Sequence, residues 1–295
     1  MNEIKTISIS DNNYPKLLKE IKNAPKIIYY RGEIKKEENC FAIVGTRMNS
    51  IYGKQIALEI VEDLTESGLT IVSGLAPGID TFVHETVVEK RSRTIAVLGT
   101  GLDEKNIYPQ ENIKLIKKII ETGGCLISEY PPGTQGSKFT FPQRNRIISG
   151  LSLGTLVIEA KQKSGALITA HYARKQNRKV FAIPGSIYSS NSKGPHYLIK
   201  TGAKLTENAN DILEELNLKL TTINFSNIKE IKGENEKENL ILNILKEESS
   251  DIDKIIKKTN LPASLVVSTL AILEIKNKIR NLGGNIFCLV KNSKL

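Results

Sequence analysis

The residues most able to do chemistry lie in one short block, Lys138-Phe-Thr-Phe141-Pro-Gln-Arg144-Asn145-Arg146-Ile-Ile-Ser-Gly-Leu-Ser152. Cations alternating with aromatic rings suit a single-stranded nucleic acid, where charge holds phosphates and rings stack on bases. Catalytic signatures are weaker. Gly99-Thr-Gly101 follows an apolar run, but Glu stands at position 104, so the dinucleotide pattern GxGxxG fails. No GxxxxGK[ST] loop occurs. Gly150-Leu-Ser152-Leu-Gly154 matches GxSxG, yet the apolar run that a nucleophile elbow needs before its Ser comes after it. His84, His171 and His196 form no HExxH-type pair, and Cys40, Cys125 and Cys288 are too far apart for a CxxC site. The thiols read as reduced and mostly buried, and neither a metal nor a cofactor is expected.

Three polar loops complete the candidate site. Gly45-Thr-Arg47 follows one apolar run, and Ser73-Gly74-Leu-Ala-Pro-Gly78-Ile-Asp80 follows another. In the second, Asp80 is placed to cap the helix expected over 81–89. Ser164-Gly165-Ala-Leu-Ile-Thr169 opens a further helix, whose N–H groups could bind a phosphate.

The elements that must position these loops alternate. Short, β-branched apolar runs at 40–45, 69–73, 94–98, 124–128, 155–158 and 179–183 predict strands covered on both faces. Helical spacing appears over 50–67, 113–121 and 166–176. This pattern predicts an α/β fold with a Rossmann-like, doubly wound, mainly parallel sheet, whose ligands sit beyond the carboxyl ends of the strands.

At about 100–200 residues per domain, 295 residues suggest two domains. Residues 1–38 are expected as an extension packed on the core, 39–216 as the Rossmann-like domain and 217–238 as a polar linker. A small C-terminal winged-helix domain is expected over 239–295, with helices at 239–248, 252–259 and 263–276 and a hairpin turning at Gly283-Gly284. Its third helix carries no base before Lys276, which argues for protein contact over reading of duplex sequence.

Hydrophobic residues make up 40% and charged residues 25%, which excludes a disordered chain. The net charge of +10 is concentrated: residues 131–204 hold twelve Lys or Arg and one acid, Glu159. The rest of the chain holds 30 bases and 31 acids. No apolar run reaches about 18 residues, and the start, MNEIKTISISDNN, lacks a signal-peptide core. A cytoplasmic protein with no membrane partner is expected.

The segments VGTR, SGLAPGID, TIAVLGTGLD, SEYPPG, FPQRNRIISGLS, SGALITA and VFAIPG occur in this order. Together they resemble the DNA-processing protein A family (DprA, also called Smf), over roughly residues 7–216. The resemblance implies an extended Rossmann-like domain that binds single-stranded DNA without sequence preference. It also implies a homodimer, no catalysis, and loading of the RecA recombinase onto single strands, typically in natural transformation.

Matched to the family's motifs, the DNA groove falls on Arg47 and Lys138, with Phe141 as the base-contacting ring. Arg144, Asn145 and Arg146 lie in the same block, where some would hold the loop and not touch DNA. Gly45, Ser73, Gly74, Ser164 and Gly165 are the remaining expected contacts. Pro77 stands where the family commonly has Arg in SGLARGID, which removes one cation from that edge. The competing reading is a Rossmann-like nucleotide-processing enzyme, similar to nucleoside-monophosphate phosphoribohydrolases. Those proteins show PGGxGTxxE, whereas here Gly154-Thr155 and Glu159 are spaced one residue too far and lack the preceding glycines.

Overall fold

In the computed structural model of the chain, residues 3–218 and 231–290 are described. The elements begin β1 (Lys5–Ser8), α1 (Lys16–Lys19), β2 (Ile27–Gly32), β3 (Cys40–Val44), α2 (Ile51–Glu66), β4 (Thr70–Ser73) and α3 (Ile79–Glu89). They continue with β5 (Thr94–Leu98), α4 (Ile113–Glu121), β6 (Cys125–Ser128), α5 (Thr140–Gly150), β7 (Gly154–Val157) and α6 (Gly165–Lys175). Last come β8 (Lys179–Ala182), α7 (Lys193–Lys200), β9 (Lys204–Leu205) and α8 (Ala209–Glu215).

Among the described residues these strands form one nine-stranded sheet in the order β1-β2-β6-β5-β4-β3-β7-β8-β9. From β6 to β9 every pairing is parallel. The first 38 residues do more than pack on this sheet. β1 and β2 join it as antiparallel strands, with Arg31 opposite Leu126.

The continuous apolar runs are buried on both faces, as parallel strands wound with helices require. Ala42, Val44, Val97 and Val157 face the helices α5 and α6 through Ile147, Ile148 and Ala170. Phe41, Ile43, Ile71 and Leu156 face α2, α3 and α8 through Val61, Val83 and Ile212. Tyr14 and Leu18 of the N-terminal segment fill the first of these cores, and the Tyr14 hydroxyl donates to the Pro25 carbonyl at 2.7 Å. Cys40, Cys125 and Cys288 are buried and form no disulfide among the described residues.

The winding reverses at β3. The chain runs β3, β4, β5, β6 toward one edge, then crosses through α5 to place β7 on the other side of β3. The two polar loops after β3 and β7 therefore diverge at adjacent strand ends, which is where open α/β sheets leave a crevice.

The chain divides into two compact units, residues 1–49 with 56–221, and residues 50–55 with 222–295. The second holds α9 (Glu236–Glu247), β10 (Ser250–Asp251), α10 (Ile252–Thr259), α11 (Ala263–Ile275), β11 (Ile279–Asn281) and β12 (Ile286–Leu289). Its core joins Leu242 and Leu245 of α9 to Ile255, Val266, Leu270 and Phe287. Of the linker expected over 217–238, residues 219–230 lie outside the described residues. Among the described residues no helix is long and apolar enough to cross a membrane.

Candidate nucleic-acid interface

A cleft of about 740 Å³ opens at the carboxyl ends of β3 and β7. Gly45, Arg47, Lys138, Phe141, Arg144, Asn145, Ser164 and Gly165 all line it, so eight of the eleven expected site residues meet in one place. They do not play one role.

The floor is a buried polar network. Arg144 is 5% exposed; its guanidinium donates to the Gly74 carbonyl at 2.7 Å and also to the Val97 carbonyl. Asp80 is 7% exposed, and its carboxylate accepts from the Gly45 N–H at 3.3 Å and the Gly74 N–H at 3.1 Å. Arg144 and Asp80 meet over Gly74, where a Cβ would stand 2.8 Å from atoms of both side chains. Glycine is there for close packing.

Burial raises the Asp80 carboxyl to about 6, against the opposing pull of Arg144 and of the Gly45, Gly74 and Ala76 N–H groups. Burial likewise lowers Arg144 to about 10, with Asp80 opposing the shift and Arg47 adding to it. Asn145 accepts from Arg144 Nε at 3.1 Å and donates to the Gly165 carbonyl at 3.1 Å, tying α5 to the start of α6.

This network corrects two expectations. Asp80 does not cap its helix: α3 starts at Ile79, two residues before the expected start, Gly78 holds the cap position, and Asp80 reaches back to the glycine loops. The Gly45 and Gly74 N–H groups are consequently not open to phosphate, because an internal carboxylate already occupies them.

Three expected residues lie away from the cleft lining. Ser73 is fully buried and donates its hydroxyl to the Ile43 carbonyl at 2.6 Å. Gly74 sits beneath Arg144 and Asp80. Arg146 forms a bidentate pair with Glu129, both contacts at 2.7 Å, and donates to the Asn23 carbonyl at 3.1 Å. It holds the N-terminal segment to α5.

The rim is different. Arg47 and Lys138 are exposed, as are Lys161 and Lys163, which also line the cleft. These two lysines were visible only as part of the basic stretch 131–204; their position just ahead of the helix-opening Ser164 was the signal for them. Ser164 caps α6 by accepting from the Ala166 N–H at 3.3 Å. Among the described residues the Gly165 N–H makes no hydrogen bond. A helix start and three lysines thus bound one mouth.

Between floor and rim stands Phe141, half-buried, its ring tilted against Tyr108 at 5.6 Å between centroids. A Cβ on Gly99 would come within 2.8 Å of this ring and one on Gly136 within 2.6 Å. Gly99-Thr-Gly101, which resembles the start of a dinucleotide loop, is instead the seat of an aromatic side chain. Lys138 stands 5.3 Å over the neighbouring Phe139 ring, which is 71% exposed.

Neither catalytic alternative finds its geometry. Ser152 is fully buried and donates to the Ile148 carbonyl at 2.9 Å, and Glu159 is 4% exposed. Among the described residues no group of three His, Cys, Asp or Glu could hold a metal ion.

Two family models match the chain. Residues 5–217 match the family model for DNA recombination-mediator protein A, and residues 231–285 match the DprA winged helix domain. The chain belongs to the DNA recombination-mediator protein A family. It is 43% identical to the DNA processing protein DprA of Bacillus subtilis over 215 residues, covering 72% of this chain and 71% of that one. With DprA of Streptococcus pneumoniae it shares 45% identity over 211 residues, 71% of this chain and 73% of the relative.

The solved structure of the Streptococcus pneumoniae DprA superposes with a TM-score of 0.67 at 43% identity, covering 72% of this chain and 74% of that one. DNA processing protein A from Helicobacter pylori, described for its single-stranded DNA binding mode, superposes with a TM-score of 0.64 at 31% identity. That match covers 73% of this chain and 96% of the other. The Rossmann-like sheet with a winged-helix domain is therefore the architecture of a DprA-family member.

Proposed function

We propose that this DprA-family chain binds single-stranded DNA without sequence preference, protects it, and loads RecA onto it in transformation or recombination. It acts as a homodimer in the cytoplasm and catalyses no reaction. The observation that carries this reading is the cleft rim, where exposed Arg47, Lys138, Lys161 and Lys163 surround the half-buried ring of Phe141. Cations spaced around a stacking surface bind phosphate backbone and base faces, and neither contact distinguishes one sequence from another. The single-stranded DNA binding described for the Helicobacter pylori relative supports the same reading.

An enzyme working in this cleft would need an accessible acid or base. Asp80 lines it but is buried and spent on backbone N–H groups, and Glu159 is buried. The floor is built to hold its shape.

Fluorescence anisotropy with labelled oligo-dT and with duplex, at two salt concentrations, tests the proposal. The chain is expected to prefer the single strand and to weaken steeply with salt. Arg47→Glu and Lys138→Glu should each cost affinity and flatten the slope of log affinity against log salt by about 0.7 or more. Their unfolding free energy should stay within about 0.5 kcal/mol of the parent. Equal binding to duplex, or unchanged affinity in both variants, would remove the cleft from the function.

A further inference from the structure

The cleft does not end the features at this edge of the sheet. β8 lies beside β7, and the chain leaving its carboxyl end forms a loop that runs to α7. The loop carries Ile187, 65% exposed, and Tyr188, 93% exposed. Met48, in the loop after β3 and on the cleft lining, is 76% exposed. Single exposed apolar side chains are ordinary. Three on neighbouring loops beside a basic cleft are a patch in a particular place.

That they are neighbours follows from the hydrogen bonds. Asn191 Nδ2 donates to the Met48 carbonyl at 3.1 Å, and the Asn191 carbonyl accepts from the Ala160 N–H at 2.8 Å. The β8 loop is thereby fastened to both loops that border the cleft, the one bearing Arg47 and the one leading to Lys161 and Lys163. It is also fastened to itself. Lys193 Nζ donates to the Ile187 carbonyl at 2.9 Å, His196 Nε2 bonds the Gly185 carbonyl at 3.0 Å, and the Tyr188 N–H donates to Ser186 Oγ at 3.3 Å.

Tyr188 is thus a ring held out on a braced backbone with no packing duty in the fold. A tyrosine loses little freedom on being covered, having few rotatable bonds, and both its faces are open to a planar partner. Lys193 keeps an exposed ammonium next to it.

We propose that the single strand continues from the Phe141 seat past Met48 and onto this loop, with Tyr188 as a second base-stacking post and Lys193 as a phosphate contact. The extension rests on the single-strand reading of the cleft. It gives the protein a track with two aromatic stops, one recessed and one projecting, and cations between them. Because the second stop engages only DNA long enough to reach it, the contribution of Tyr188 depends on oligonucleotide length.

The test uses the full chain and a ladder of oligo-dT lengths. Tyr188→Ala should weaken the longer oligonucleotides about tenfold, equivalent to about 1.4 kcal/mol, and leave the shortest binding one unchanged. Its salt slope should not move, whereas Lys193→Ala should flatten the slope by about 0.7, again only on longer DNA.

The chain contains no Trp, so Tyr188→Trp gives one indole whose emission reports stacking at this position. Quenching by long and not by short oligo-dT supports the post. Parental affinity of Tyr188→Ala at every length, together with an unquenched Tyr188→Trp chain, overturns it. A Tyr188→Ala change in sedimentation without a change in affinity overturns it too, because the ring then serves a protein contact. Failure of the unaltered chain to bind any single strand sinks the cleft reading first, and the extension with it.

Discussion

The floor and the rim of the cleft each take a cation from the short block 138–146 and use them in opposite ways. Lys138 is exposed with its ammonium over the solvent-facing Phe139 ring, while Arg144, six residues on, is buried and spends its guanidinium on two backbone carbonyls. Arg146 follows the floor pattern through Glu129. The basic excess of 131–204 divides similarly. Arg178 pairs with Glu20 at 2.9 Å and Arg174 donates to the Leu198 carbonyl at 3.1 Å, both away from open solvent. A run of positive charge therefore points to an anionic partner only for the members that stay wet; a buried cation is spent on the protein.

The sharpest way to break that division is Arg144→Ala. It leaves Asp80 in a buried pocket without its facing cation, a change that typically costs about 3–5 kcal/mol. Urea unfolding should show that loss, and DNA binding should fall because the Gly45 and Gly74 loops lose their anchor. Should Arg144→Ala instead unfold like the parent and flatten the salt slope as Lys138→Glu does, Arg144 would belong to the rim.

The division was only half legible in the sequence. Strands reveal themselves by local composition, so the six apolar runs match β3 through β8 to within a residue at each end. Helix α5 carried no such signal. Phe141, Pro142, Gln143, Arg144, Asn145 and Arg146 show no apolar stripe of helical period, and the burial of Arg144, Asn145 and Arg146 is supported by partners from the loop after β4, from β5, from α6 and from the N-terminal segment. The joining of β1 and β2 to the sheet was hidden likewise, because the pairing of β2 with β6 is a long-range choice.

Asp80 shows the same limit from another side. An acid near a helix start reads locally as a cap, and only the folded loops reveal Gly45 and Gly74 as its partners. α11 exposes Val267 at 50%, Ile272 at 45% and Ile275 at 82%, an apolar surface unlike the cationic one that major-groove reading uses.

The floor also carries a pH signature. Asp80 is raised from 3.8 to about 6, so between those values the folded state holds a proton that the unfolded chain releases. Its contribution to stability is present below the lower value and is lost as pH rises through the upper one. His84 acts in the opposite sense. Burial lowers it from 6.5 to about 3, and its contribution is lost as pH falls through that range. The two largely offset each other on mild acidification.

Asp80→Asn removes one side of this balance. Between pH 6 and 4 the variant should lose stability relative to the parent by an additional 2–3 kcal/mol or so, at about 1.36 kcal/mol per unit of pKa difference. Urea midpoints at the two pH values measure it. Lys138→Glu should leave that difference near zero. A parallel pH profile for Asp80→Asn and the parent would show that the carboxylate is ionised throughout and that the floor is not sealed from water.

The smallest effect is expected where floor and rim meet, at Phe141. The ring is half-buried, so replacing it costs less folding energy than emptying a core site. Its value lies in the face offered to a base, worth about 1–3 kcal/mol on a single strand. Phe141→Ala should weaken oligo-dT binding accordingly and keep the salt slope of the parent, since no charge is lost. Lys138→Glu should change the slope in the same assay, so the two variants separate stacking from phosphate contact. The seat offers a finer version of the same test. Gly99→Ala places a methyl group 2.8 Å from the ring and displaces it without deleting it. If stacking depends on where the ring is held, Gly99→Ala should reproduce part of the Phe141→Ala loss at an unchanged slope. Full parental affinity in Gly99→Ala would mean that the ring adapts its position to the base, and that the glycine seat serves packing alone.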